Sequence, residues 1–194
     1  MAILLKRLGS DKIIHGFDSF EGFPEYSEFD SLDCFEKYED KYFGKDLVDR
    51  VRLLQKIRQA ISTDKLDVKN ISTSGEFTDT NYDDLVRKIK LLGLDNINLV
   101  KGSFKDTVDP FFKNFRGKVF SANVDCDLYD GYRICLPHLW ENLSSGGYIF
   151  LDEYYSLKFA GARIATDRFC EKAGIKPLLH PRQSTEFERW YIEK

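Results

Sequence analysis

The chain lacks most of the short signatures that would announce a familiar chemistry. There is no GxGxxG fingerprint, no phosphate-cradling GxxxxGK[ST] loop and no GxSxG elbow in its 194 residues. Its three histidines, His15, His138 and His180, never fall in the HxxxH spacing of a zinc helix, and His15 and His138 read as structural. Four cysteines (Cys34, Cys126, Cys135, Cys170) form no CxxC pair and no dense framework, so we read them as reduced thiols of a cytoplasmic protein. A net charge of -3 argues against a general pull toward nucleic acid, and the small basic group Lys113, Arg116, Lys118 reads as a solvated face. No apolar run approaches the length of a membrane span, and MAILLKRLGS is too quickly charged for a secretory signal. Repeats, low-complexity tracts and linkers are missing too. What remains is a globular composition, 42% hydrophobic and 31% charged, of a length suited to one domain.

What is present is concentrated in Lys118 to Tyr154. Val119 to Val124 is a mostly apolar run ending at Asp125 and Asp127. Tyr132 to Leu143 has helical spacing, Ser144-Ser145-Gly146-Gly147 reads as a turn, and Tyr148 to Leu151 is a second apolar run ending at Asp152 and Glu153. Two strands joined by a helix make a parallel βαβ unit, so both acidic tips share one carboxyl edge. That edge is where open α/β sheets bind ligands. Carboxylates gathered there repel one another unless a cation sits among them, and a hard ion such as Mg²⁺ is the simplest candidate. Taken singly, each of these residues reads first as an ordinary cap or loop carboxylate, and it is the pair of clusters at adjacent strand ends that points to metal or substrate binding.

The rest of the chain supplies the frame of an α/β fold. Ala2 to Leu8 reads as the end of a helix and Lys12 to Phe17 as a strand, with Asp18 and Ser19 at its tip. Asp18 sits where ribose hydroxyls are often bound, or is a simple turn residue. Glu25 to Lys69 is irregular, then helical from Lys45 to Ile61. It reads either as a lid-like insertion at about 25–69 or as a surface that packs on another subunit. Asn81 to Leu92 is a helix stopped by Gly93, and Asn96 to Lys101 is a strand tipped by Gly102 and Ser103. Pro110 to Phe115 reads as a short helix and Gly161 to Ala173 as a longer one. Lys176–His180 and Phe187–Ile192 form an antiparallel hairpin across Pro181-Arg182-Gln183-Ser184.

A strand ending in DxD suits two chemistries: a metal-dependent glycosyltransferase and a metal-dependent methyltransferase. The spacing alone leaves both open. The second acidic tip and Asp18 favour the methyltransferase.

The motifs GFDSFEGFP, GEFTDT, VKGSFKDT, VDCDLYDG and GGYIFLDEY, in this order, resemble the macrocin O-methyltransferase family. The resemblance implies a single domain over 1–194, a Rossmann-like methyltransferase sheet of seven strands, mostly parallel with an antiparallel C-terminal hairpin. It implies S-adenosylmethionine and Mg²⁺ as cofactors and a small saccharide-like hydroxyl as methyl acceptor. Neither nucleic acid nor a membrane is implied as a partner, and a homo-oligomer is compatible. By the same resemblance Asp18 and Ser19 would hold the ribose, and Gly102 and Ser103 would lie near the adenine. Asp125, Asp152 and Glu153 would hold the metal, Asp125 would also take the acceptor's proton, and Asp127 would be its support or an alternative ligand. Glu153 departs from the family's usual Asp. So does the start of the chain, where the family's first strand and glycine loop do not precede the helix ending near Leu8. The sequence thus reads as an N-terminally truncated enzyme or as a non-catalytic member.

Overall fold

The computed structural model describes residues 1–183 and 186–194. The expected Ser184 of the hairpin turn lies outside them. The chain forms two compact units, each assembled from two stretches: Met1–Pro24 with Ser74–Lys113, and Glu25–Thr73 with Asn114–Lys194.

The first unit is built on a parallel pair, β1 (Ile14–Asp18) and β2 (Ile97–Lys101), in register from Ile14 opposite Ile97 to Asp18 opposite Lys101. Helix α1 (Ala2–Arg7) is tied to it by the Asn96 side-chain amide, which donates to Ala2 O at 3.0 Å, and by Lys6 Nζ, which donates to Gly93 O and Asp95. Helix α4 (Tyr82–Leu91) starts where expected because Asn81 Oδ1 accepts from Asp84 N–H. Helix α5 (Phe104–Asn114) begins six residues before the expected Pro110. Ser103 Oγ accepts from Asp106 N–H and donates to its carboxylate, capping the first turn. Pro110 then sits inside the helix, where it removes one N–H donor but does not end it. Phe111 of α5 packs edge-on against His15 and Phe17 of β1.

The second unit carries a four-stranded sheet in the order β3-β4-β6-β5. Strands β3 (Val119–Val124) and β4 (Leu143–Leu151) are parallel. β6 (Trp190–Glu193) runs antiparallel to both β4 and the two-residue β5 (Leu178–Leu179). The expected C-terminal hairpin is therefore present. The expected turn at Ser144–Gly147 lies within β4, at a break in register: Val119 pairs with Leu143, but Ser121 already pairs with Tyr148. The extra residues loop out there, and Gly146 N–H is satisfied by Lys194 O across the sheet. Among the described residues there are six strands in two sheets, where the resemblance implies seven in one.

Helices α6 (Tyr129–Asn142) and α7 (Ala160–Ala173) pack against each other, and α7 also meets α2 (Cys34–Lys37) and the 3₁₀ turn Glu28–Asp30. The 25–69 stretch thus contributes to a core. Phe35 of α2 and Val48 and Val51 of α3 (Lys45–Ile61) are fully buried, in one cluster with Tyr132, Leu136, Ile149, Ile164 and Ile192. The end of this stretch is held by Arg58, whose guanidinium donates twice to Ile71 O at 2.9 and 3.0 Å.

One polar pin in this core explains a difference from expectation. Helix α6 starts at Tyr129, three residues earlier than its apolar spacing indicates. The free N–H of Tyr129 is capped by Asp30 Oδ1 at 2.8 Å, from 99 residues earlier in the chain. Asp30 is only 1% exposed, and its other oxygen accepts from Ser27 N–H and Oγ. A buried carboxylate is tolerated because three donors replace its water.

Candidate functional site

The last paired residues of β3 and β4 are Val124 and Leu151. The next residues, Asp125 and Asp152, therefore leave the sheet side by side at its carboxyl edge. The chain after Asp125 does not continue straight. Leu128 N–H bonds to Cys126 O at 2.5 Å, closing a three-residue turn centred on Asp127, whose φ is +56°. A non-glycine residue in that conformation is strained, and such strain concentrates at functional positions. One carboxylate oxygen each from Asp125, Asp127 and Glu153 then fall within 4.8 Å of one another.

Of the three metal ligands the resemblance implies, Asp125 and Glu153 lie in this group. Asp152 is exposed beside it, and Asp127 completes the set instead. The reason is the backbone turn at Asp127, which no side-chain pattern encodes. An all-oxygen, all-anionic donor set suits a hard divalent cation such as Mg²⁺ and not zinc or copper.

Burial and mutual repulsion raise all three carboxyls of the group. Burial pushes the Asp127 carboxyl up to about 7, helped by the neighbouring Asp125 and Asp152 charges and opposed by Lys158. Burial, then Asp127 and Asp152, raises Glu153 further. Asp125 is raised by burial and by Asp152, with the Asn123 side chain opposing. Each of these groups keeps protons in the fold that the unfolded chain would release. Stability without metal must therefore fall as pH rises from the ordinary carboxylate range through about 7, where Asp127 ionises, and further above it, where the more strongly raised Glu153 does. We expect the Asp127→Asn variant to melt several degrees above wild type at pH 8.5, in metal-free buffer, and to lose most of that advantage at pH 5. Parallel melting curves at the two pH values would contradict this.

Tyr132 of α6 joins the two tips. Its ring is fully buried, and its hydroxyl donates to Val124 O at 2.8 Å and accepts from Glu153 N–H at 3.0 Å. Sequence reasoning placed Tyr132 only as the first residue of a helix, and missed Asp30 altogether. No local pattern marks either one, since both act on partners that the fold brings from elsewhere.

The residues proposed for the cofactor lie in the first unit, together at the carboxyl ends of β1 and β2. Gly102 N–H donates to Asp18 O at 2.9 Å, and Gly102 has φ +136°, a backbone state open to glycine alone. A Cβ there would come within 2.9 Å of Thr107. Asp18 Oδ1 accepts from Phe20 N–H, and Ser19 Oγ bridges Glu21 N–H and Gly22 O. Ser103 serves as the α5 cap. Asp18 and Gly102 thus leave backbone and an exposed carboxylate at the strand tips, while both serine hydroxyls are engaged in turns.

A family model for macrocin O-methyltransferases (TylF) matches residues 60–184. The chain belongs to this family. Its fold is similar to that of the O-methyltransferase NovP, with a TM-score of 0.63 and 20% identity over 100% of this chain and 65% of NovP. It is similar also to the calicheamicin methyltransferase CalS11, with a TM-score of 0.62 and 18% identity over 99% of this chain and 65% of CalS11. Both establish the Rossmann-like methyltransferase fold, and the family member described here spans 65% of the length of each. No curated protein sequence matches it. Among its described residues no helix is long and apolar enough to cross a membrane.

Proposed function

We propose that this chain carries the acceptor and metal site of an O-methyltransferase acting on a hydroxyl of a saccharide-like small molecule. The observation that supports it most is the convergence of Asp125, Asp127 and Glu153 at two adjacent strand tips, in a member of the macrocin O-methyltransferase family. Asp125 and Glu153, with Asp127 or Asp152, would hold Mg²⁺, which supplies a positive charge that lowers the pKa of an acceptor hydroxyl. S-adenosylmethionine would supply the electrophilic methyl group, its ribose held by Asp18 and its adenine side near Gly102 and Ser103.

The chain's own residues then have separate tasks. Asp125, at the end of β3 and within the acidic group, would accept the acceptor's proton, with Asp127 beside it as support or as an alternative ligand. Orientation of the acceptor against these carboxylates contributes most of the remaining rate gain.

Titration calorimetry with S-adenosylmethionine, with and without Mg²⁺, tests the reading. We expect measurable binding in the presence of Mg²⁺. Absence of heat under both conditions would remove cofactor use by this chain and favour a non-catalytic family member.

A further inference from the structure

Glu153 raises a geometric question. Its side chain is one methylene longer than the Asp152 beside it, and a longer side chain has more rotamers in which its carboxylate misses a metal. Something must hold it. We propose that Tyr132 is the positioning residue of the metal site, fixing Glu153 against the tip of β3. This rests on the metal-binding reading of the carboxylate group.

Three contacts carry the proposal. The Tyr132 hydroxyl donates to the carbonyl of Val124, the residue immediately before Asp125. It accepts from the backbone N–H of Glu153 at 3.0 Å, and it lies 3.3 Å from Glu153 Oε2. One atom therefore touches both the backbone and the side chain of one candidate ligand, and the backbone that delivers another. Its ring is 0% exposed, in the cluster with Leu136, Leu151 and Ile164, so the hydroxyl has little freedom to follow a wandering carboxylate. Without that hydroxyl, Val124 O and Glu153 N–H lose a shared partner and Glu153 is free to leave the group. Groups that orient metal ligands in this way change metal affinity by about 10–100-fold.

The experiment is binding of Mn²⁺, read by the electron paramagnetic resonance signal of the free ion, to wild type, Tyr132→Phe, Glu153→Gln and the double variant. The phenylalanine ring keeps the core filled. The expected result is Mn²⁺ affinity at least about tenfold weaker in Tyr132→Phe. In the Glu153→Gln background the same substitution should cost less than about twofold, because the residue it positions is already disabled. Tyr154→Phe is the control, since it removes a hydroxyl that donates to Asp167 at 2.7 Å without touching the carboxylate group. It should bind Mn²⁺ as wild type does. Equal losses in Tyr132→Phe and Tyr154→Phe, or an undiminished loss in the Glu153→Gln background, would assign Tyr132 to general packing and overturn the proposal. So would unchanged affinity in Tyr132→Phe, which leaves the metal site itself standing. Failure of wild type to bind Mn²⁺ overturns the metal site and the positioning role together.

Discussion

Gly161→Ala should lower the melting temperature by about 10 °C, a loss of roughly 3–4 kcal/mol for a chain of this size. Helix propensity alone would predict the opposite, since Ala is favoured over Gly inside a helix by about 1 kcal/mol. The packing decides the sign. A Cβ at Gly161 would lie 2.0 Å from Asp30 Oδ1, 2.7 Å from Tyr129 Cβ and 2.8 Å from Tyr129 N. Those are the atoms of the buried pin that starts α6. Either Asp30 withdraws, leaving the Tyr129 N–H unpaired in the core, or α7 moves away from α6 and opens a gap. An unsatisfied buried donor costs about 1–3 kcal/mol and a displaced buried carboxylate costs more. Thermal unfolding followed by circular dichroism measures it. A variant within 2 °C of wild type would show that the two helices are free to separate at this point.

The second large effect is a reversal of sign. In metal-free buffer Asp125→Ala should melt at or above wild type, because it removes one of several mutually repelling carboxylates. At a Mg²⁺ concentration about a hundredfold above its dissociation constant the order should invert. Binding to the native state alone then stabilises wild type by about 2.7 kcal/mol, and the variant forgoes this gain. The difference corresponds to about 5–10 °C in melting temperature. A screening effect of salt would act alike on both proteins, so equal ionic strength without a divalent ion is the comparison condition. If Mg²⁺ raises the two melting temperatures equally, the acidic tips are solvated loop residues and not a metal site.

How much of this was readable beforehand depends on where each cause lies in the chain. β3 and the second half of β4 were legible because apolar runs ending in acidic residues carry their own boundaries. α3 and α4 were legible because their stripes repeat every three to four residues, and Asn81 caps α4 from next door. The starts of α5 and α6 were not. Ser103 reads as a strand-tip residue, and the α6 cap is an aspartate 99 residues upstream. Spacing places Asp127 and Asp152 at strand tips equally well, and it is the family resemblance that puts Asp152 among the metal ligands and Asp127 behind it. Only the positive φ at Asp127 separates them, and backbone angle at a non-glycine residue leaves no mark in composition. Tyr132 was hidden for a related reason: its position marks it as a helix residue, whereas its role comes from the oxygen at the far end of its ring.

The two-unit architecture bears on how the chain reaches its fold. Each unit interrupts the other in sequence: Glu25–Thr73 must leave the first unit before Ser74–Lys113 completes it. Strand β1 emerges long before its partner β2, about eighty residues later, and Asp30 waits still longer for Tyr129. During synthesis, then, neither unit can close as an early, self-sufficient block. Pairings this distant in sequence make for slow assembly, with β1 exposing an unsatisfied edge meanwhile. The same interleaving gives the finished protein a benefit. Neither unit corresponds to a continuous segment, so a single cut in the chain releases neither one whole.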